Sequence, residues 1–209
     1  AHAAEELGCK VQFMGIVRDD EKELEEMVRQ GLDADMLLLS GGTSKGEGDQ
    51  NYRVFARFGN PGILVHGVSL KPGKPLCLAV LEGTPAAILP GFPTSAIFTF
   101  TKFIAPVLRE MAGLPPEKNT RISARVPLRI QSDKGRTEFN LVHLTQGPQG
   151  PAAYSTGKGS GSVTGFSRAD GFIEITKETE MVESGEEVEI QLLGDAVQLP
   201  DLMIIGSHC

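Results

Sequence analysis

The sequence predicts an α/β domain followed by a small all-β domain. Up to about residue 115, helical and strand-like patterns alternate, whereas beyond it only strand-like runs occur, separated by Gly, Pro and Ser. Within the first half, Met36-Leu37-Leu38-Leu39 is a short apolar run of the kind found in a parallel strand buried on both faces, and a Gly-rich loop follows it directly.

In chain order, residues 1–8 read as a helix ending at Gly8 and residues 11–17 as a strand. Residues 21–32 place Leu24, Met27, Val28 and Leu32 on one helical face with carboxylates opposite. The 36–39 strand is expected in the sheet interior. A helix over 50–58 and strands over 63–68, 76–81 and 86–89 come next. Residues 93–111 form the last helix, with Pro93 in its first turn and Gly113 beyond its end. This βαβ series predicts a mainly parallel sheet with helices on its faces. Because the chain opens on a helix, with no strand or phosphate loop before it, the domain reads as N-terminally truncated. Leu114-Pro115-Pro116 marks the boundary, so the expected divisions are 1–117, 118–194 and 195–209. Strands are predicted over 121–130, 138–144, 172–175 and 187–192, in a sandwich or barrel with no helix longer than a turn or two. Leu202-Met203-Ile204-Ile205-Gly206, set off by Pro200, resembles the first strand of something further, such as a fused domain.

Composition narrows the function. With 40% hydrophobic and 22% charged residues, the chain is globular. Its formal charge of -7 argues against nucleic-acid or anionic-membrane binding through an overall basic surface. Trp 0 and 6% aromatics make base-stacking platforms a poor fit. No apolar run approaches the roughly 20 residues that cross a bilayer. Cys9, Cys77 and Cys209 lie far apart, give no disulfide framework and make a reducing cytoplasm the default location.

Three loops could carry chemistry. Between Ser40 and Asp49, four glycines (Gly41, Gly42, Gly46, Gly48) accompany Thr43, Ser44 and Lys45. Such a loop lets backbone amides turn onto an anion at the carboxyl end of a strand, and Asp49 at its close is a possible magnesium ligand. The plainer reading is a turn with Asp49 capping the next helix. Lys71-Pro72-Gly73-Lys74-Pro75 sets two cations three apart on a proline-stiffened segment, or is simply a solvated turn. Leu89-Pro90-Gly91-Phe92-Pro93-Thr94-Ser95 repeats the strand, loop, helix arrangement and puts Ser95 in a helix first turn.

These three segments resemble consecutive signatures of the molybdopterin molybdenumtransferase family, called MoeA in bacteria and the gephyrin E domain in animals. Gly135-Arg136-Thr137-Glu138-Phe139, Gly159-Ser160-Gly161-Ser162 and Arg168-Ala169-Asp170-Gly171-Phe172-Ile173 extend the likeness through the β-domain, to about Leu193. The resemblance implies a MogA/MoaB-like layered α/β domain, the family's third, followed by its fourth, a small β-domain. It implies insertion of molybdate into adenylylated molybdopterin (molybdopterin-AMP) with release of AMP. It also implies Mg2+ near Asp49, a homodimer of the full-length protein and a MogA-type partner. By the same resemblance, Gly41, Gly42, Thr43, Ser44 and Gly46 with Pro90 and Gly91 belong to the substrate loops. Lys71, Lys74, Ser95, Arg136 and Ser160, with Ser162 after them, are associated with molybdate.

Three departures qualify the likeness. Phe92 stands where the family usually has Asn, and Leu141 where a second arginine often lies. The family's Gly-Asp-Glu and Asp-Ser-Asn segments and its first two domains would precede residue 1. A non-catalytic pterin- or molybdate-binding or sensing module therefore stands as the alternative to the enzyme. His66 reads as structural, Cys77 as a small core residue, and His143 has no paired acid at a telling distance in the sequence.

Overall fold

The structure is a computed structural model of the chain and describes residues 1–18, 20–41, 50–117, 120–157, 163–194 and 199–200. It divides into two compact units, one of residues 1–68 and 73–117, the other of residues 69–72 and 118–209.

The first unit contains α1 (His2–Glu5), α2 (Glu21–Gly31), β1 (Leu37–Ser40), α3 (Gln50–Phe55) and β2 (Gly62–His66). After residues 69–72, which contribute β3 (Leu70–Lys71) to the other unit, it resumes with β4 (Cys77–Leu81), β5 (Thr84–Leu89), α4 (Pro93–Thr99) and α5 (Ala105–Met111). A π-helical turn, Phe100–Ile104, joins α4 to α5 into one rod. Pro106 sits one residue into α5 and has no N–H to give; a widened turn just before it is how a helix absorbs that loss.

Period-two alternation explains the apolar strands. Leu37, Cys77, Ala79, Leu81, Ala86 and Ile88 face one core with Leu24 and Val28 of α2 and Val54 and Phe55 of α3. Leu76, Ala87 and Leu89, their sequence neighbours, face a second core with Ala4, Ile104 and Leu108. A sheet covered by helices on both sides needs apolar residues at every position, which is what the runs at 36–39 and 86–89 supply. The Cys77 side chain is fully buried, as expected of a core residue.

Three expectations are corrected. The sheet order is β1-β5-β4-β2, and only β1–β5 is parallel, so the sheet is mainly antiparallel. The cause is the connection from Leu81 to Thr84: Glu82 (φ 51) and Gly83 (φ 97) form a two-residue hairpin turn, too short for a parallel crossover. Leu37–Ser40 pairs only with β5 among the described residues and is an edge strand of the described sheet, not an interior one. Residues 11–17 form no strand; Gly15 turns to φ 99, and Phe13 and Ile16 are exposed while Val17 packs on the core.

The second unit is the all-β part that the sequence predicts. Besides β3 it holds β6 (Arg121–Arg125), β7 (Ile130–Gln131), β8 (Thr137–Gly147), β9 (Gly150–Ser155), α6 (Val163–Arg168), β10 (Gly171–Ile175), β11 (Met181–Val182) and β12 (Glu187–Leu192). The order β10-β12-β6-β9-β8 closes on itself because β10 also pairs with β8, giving a small barrel with β3 parallel to the start of β8. Val142, Leu144, Ala153, Ile173, Ile175 and Ile190 fill its core. The expected 121–130 strand is split, since Pro127 cannot donate to a ladder and Val126 instead exchanges hydrogen bonds with the 185–186 turn. β9 is an addition: Gly147-Pro148 and Gly150-Pro151 read as punctuation but form the hairpin and the strand start.

Candidate functional site

Strand register gathers the loops of the first unit. Ser40 is paired with Leu89, Ile88 with Cys77, and Cys77 with His66, so the ends of β1, β5 and β2 and the start of β4 form one end of the sheet. Gly41 leaves that end with φ 92, its N–H donating to the Leu89 carbonyl at 3.1 Å. A Cβ on Gly91 would stand 3.4 Å from the Gly41 Cα, in van der Waals contact, so the backbone at Gly41 and the Pro90-Gly91 loop lie side by side. Lys74 lies in the turn before β4, where its carbonyl accepts from Val68 N–H at 2.9 Å. Its side chain is exposed, with no ion-pair partner among the described residues. Pro90 is buried.

Asn51, which the sequence reading missed, anchors the Gly-rich loop: its Nδ2 donates to the Gly41 carbonyl at 2.7 Å. An amide in the first turn after a glycine loop is the signal that would have found it. Ser95, in the first turn of α4, is only 4% exposed, and Thr94 and Thr99 are buried beside it in sequence. Thr99 ties the turn down by donating from Oγ1 to the Ser95 carbonyl at 2.8 Å. Phe92 is at the helix N-cap with no side-chain cap hydrogen bond and is exposed, so the family's usual polar side chain there is indeed without a substitute. His66 stacks on Tyr52 with ring centroids 4.6 Å apart, a packing arrangement.

Lys71 belongs to the second unit, held by β3. Leu70 is paired with Thr137 and Lys71 with Glu138, which brings Lys71 to the strand end that Arg136 precedes. Its Nζ is 2.6 Å from Asp133 Oδ2 and 3.4 Å from Glu138 Oε2. Ser132 Oγ donates to the same Glu138 oxygen at 3.1 Å. Partial burial pulls the Lys71 ammonium down, but the Asp133 hydrogen bond and the charges of Glu138 and Asp133 outweigh it, leaving its pKa above the ordinary lysine value. Arg136 is half-buried in the turn before β8. Glu138 and Asp133 were not expected to act, although Glu138 stands inside the quoted Arg-Thr-Glu-Phe segment.

His143 does have an acid nearby: Asp170 Oδ2 lies 3.6 Å from its Nδ1 and accepts from Leu144 N–H at 2.8 Å. The residues are far apart in sequence and meet only because β10 pairs with β8. Gly42, Thr43, Ser44, Gly46, Asp49, Ser160 and Ser162, with the 202–206 segment, lie outside the described residues. Among the described residues, no group of three or more His, Cys, Asp or Glu could hold a metal ion, and no helix is long and apolar enough to cross a membrane.

Residues 1–110 match the family described as a probable molybdopterin binding domain, and residues 123–193 match the MoeA C-terminal region, domain IV. The chain belongs to the MoeA family of molybdopterin molybdenumtransferases. It is 30% identical over 191 residues to the molybdopterin molybdenumtransferase of Haemophilus influenzae, matching 90% of this chain and 47% of that protein. It is 29% identical to molybdopterin molybdenumtransferase 2 of Mycobacterium tuberculosis, over 91% of this chain and 48% of that one. The crystal structure of the molybdopterin biosynthesis MoeA protein from Pyrococcus horikoshii superposes with a TM-score of 0.75 at 35% identity, over 93% of this chain and 46% of that one. The chain thus spans less than half the length of these relatives.

Proposed function

We propose that the chain is the substrate-holding part of an enzyme of molybdenum cofactor biosynthesis, which inserts molybdate into adenylylated molybdopterin and releases AMP. The supporting observation is the convergence at one sheet end of the Gly41 loop, the Pro90-Gly91 loop and Lys74. Backbone amides of residues 41–46 are assigned to the pterin and its phosphates, because glycines let an anion approach the chain closely. Lys71, Lys74, Arg136, Ser95 and Ser160 are assigned to molybdate, a dianion that needs fixed cations and hydroxyls despite the chain's net charge of -7.

Mg2+ is assigned to Asp49, with substrate oxygens and water completing its shell. When bound there, a divalent ion offsets charge on the phosphoanhydride. In the same reading the full-length protein is a homodimer and receives its substrate from a MogA-type partner.

The test is AMP release from molybdopterin-AMP by the full-length protein that contains this chain, with and without magnesium. Asp49→Asn, isosteric and still able to cap a helix, is expected to keep the melting temperature and lower the rate by about two to four decades. Equal AMP release by both would leave Asp49 as a cap. Molybdate binding by the wild type without AMP release would instead favour a non-catalytic binding or sensing module.

A further inference from the structure

We propose that Asp133 is an internal anion that occupies Lys71 until an oxyanion displaces it, while Glu138 keeps the lysine in place. The inference rests on the reading of Lys71 as a molybdate ligand, and every residue in it belongs to the second unit. One ammonium here faces two carboxylates, at 2.6 Å and 3.4 Å, so an oxyanion reaching it meets negative charge already in place. A dianion cannot join such a cluster without meeting repulsion from the nearer carboxylate. One of the two must therefore yield, and their surroundings differ enough to say which.

The Glu138 side chain is 4% exposed, sits directly opposite Lys71 in the β3–β8 register, and is held by the Ser132 hydroxyl at 3.1 Å. Moving it away would strand a buried polar group. The Asp133 side chain is 55% exposed and lies between β7 and β8, outside any strand. Water reaches the Asp133 carboxylate, and ion pairs exposed to water are weak. The Lys71 ammonium has three protons to share, so it can keep Glu138 on one side and exchange Asp133 for a molybdate oxygen on the other. The two carboxylates then have opposite effects on molybdate affinity, which a purely structural ion-pair cluster would not produce.

The experiment is calorimetric titration of the chain with sodium molybdate. Asp133→Asn is expected to tighten binding about threefold to fivefold, the size of an exposed ion pair, and Asp133→Glu to keep wild-type affinity. Lys71→Ala is expected to weaken binding, and Asp133→Asn added to it to gain nothing, because the two residues act through one contact. Glu138→Gln is expected to weaken binding. Ser132→Ala, which releases Glu138 without removing its charge, checks the positioning role should Glu138→Gln fail to fold. If Asp133→Asn leaves affinity unchanged or lowers it while Lys71→Ala weakens binding, the internal-anion inference falls and the reading of Lys71 survives. Wild-type affinity in a folded Glu138→Gln, or in Ser132→Ala, removes the positioning role. Unchanged affinity in Lys71→Ala, or no molybdate binding by any of these proteins, overturns the reading of Lys71 itself.

Discussion

Gly171 has no space for a side chain: a Cβ there would lie 2.6 Å from the Gln191 carbonyl and 2.7 Å from Ile190 Cγ2. The obstacle is the backbone of β12, which cannot swing aside as a long side chain can. Gly171→Ala is expected to cost about 1–3 kcal/mol, the range of overpacking, and chemical denaturation of the purified variant measures it. Wild-type stability would mean that β10 and β12 are not as close as the register places them. The contrast at Lys71 shows what single residues tell in advance. That lysine was visible in the sequence because it opens a conspicuous Lys-Pro-Gly-Lys-Pro run. Its partners were not, because Asp133 and Glu138 reach it only through the parallel pairing of β3 with β8, a contact across 62 and 67 positions. His143 and Asp170 were hidden for the same reason, since strand pairing and not local spacing brings them together.

At the scale of elements, helix α2 is the best case of local consistency. Asp20 caps it by accepting from Lys22 N–H at 2.8 Å and Glu23 N–H at 3.0 Å. Glu25 of α2 accepts from Arg29 and from Arg57, which lies just past α3 and also bonds Glu21. The Glu23 and Lys22 amides hold the Asp20 carboxyl below its ordinary 3.8, and the Arg29 and Arg57 hydrogen bonds hold Glu25 below 4.5. A depressed carboxylate contributes stability that is present above its unfolded pKa and lost as pH falls through the folded one. Thermal melting is therefore expected to drop from about pH 4 downward, and Asp20→Asn, which caps without titrating, is expected to flatten that acid limb. Identical acid limbs in wild type and variant would remove Asp20 from the effect. Helical and buried-strand periodicity was legible in residues such as Leu24, Val28 and Leu37–Leu39. Strand direction was not, because it hung on two turn residues, Glu82 and Gly83, that the apolar pattern overshadows. Residues 11–17 read as a strand, yet a strand exists only where a partner edge accepts it, and Gly15 bends the segment away from that conformation.

For the whole molecule, the change in composition near residue 115 revealed both the α/β unit and the all-β unit. What it concealed was the excursion of residues 69–72 into the barrel, since a Lys-Pro-Gly-Lys-Pro turn gives no hint that its first lysine pairs with a strand far along the chain. The candidate site was legible as three separate loops. Their meeting depended on the register of β1, β5 and β4, which no local pattern encodes. The most direct measurement is anaerobic equilibrium binding of molybdopterin to the chain and to Gly91→Val. Valine at 91 puts its Cβ in contact with the Gly41 Cα, 3.4 Å away, and adds two methyl groups where the Gly41 and Gly91 backbones meet. Binding by the wild type, weakened at least about tenfold in the variant at an unchanged melting temperature, is the expected result, a loss of about 1.4 kcal/mol. Equal binding by the two proteins, or none by the wild type, would contradict a molybdopterin site at this end of the sheet.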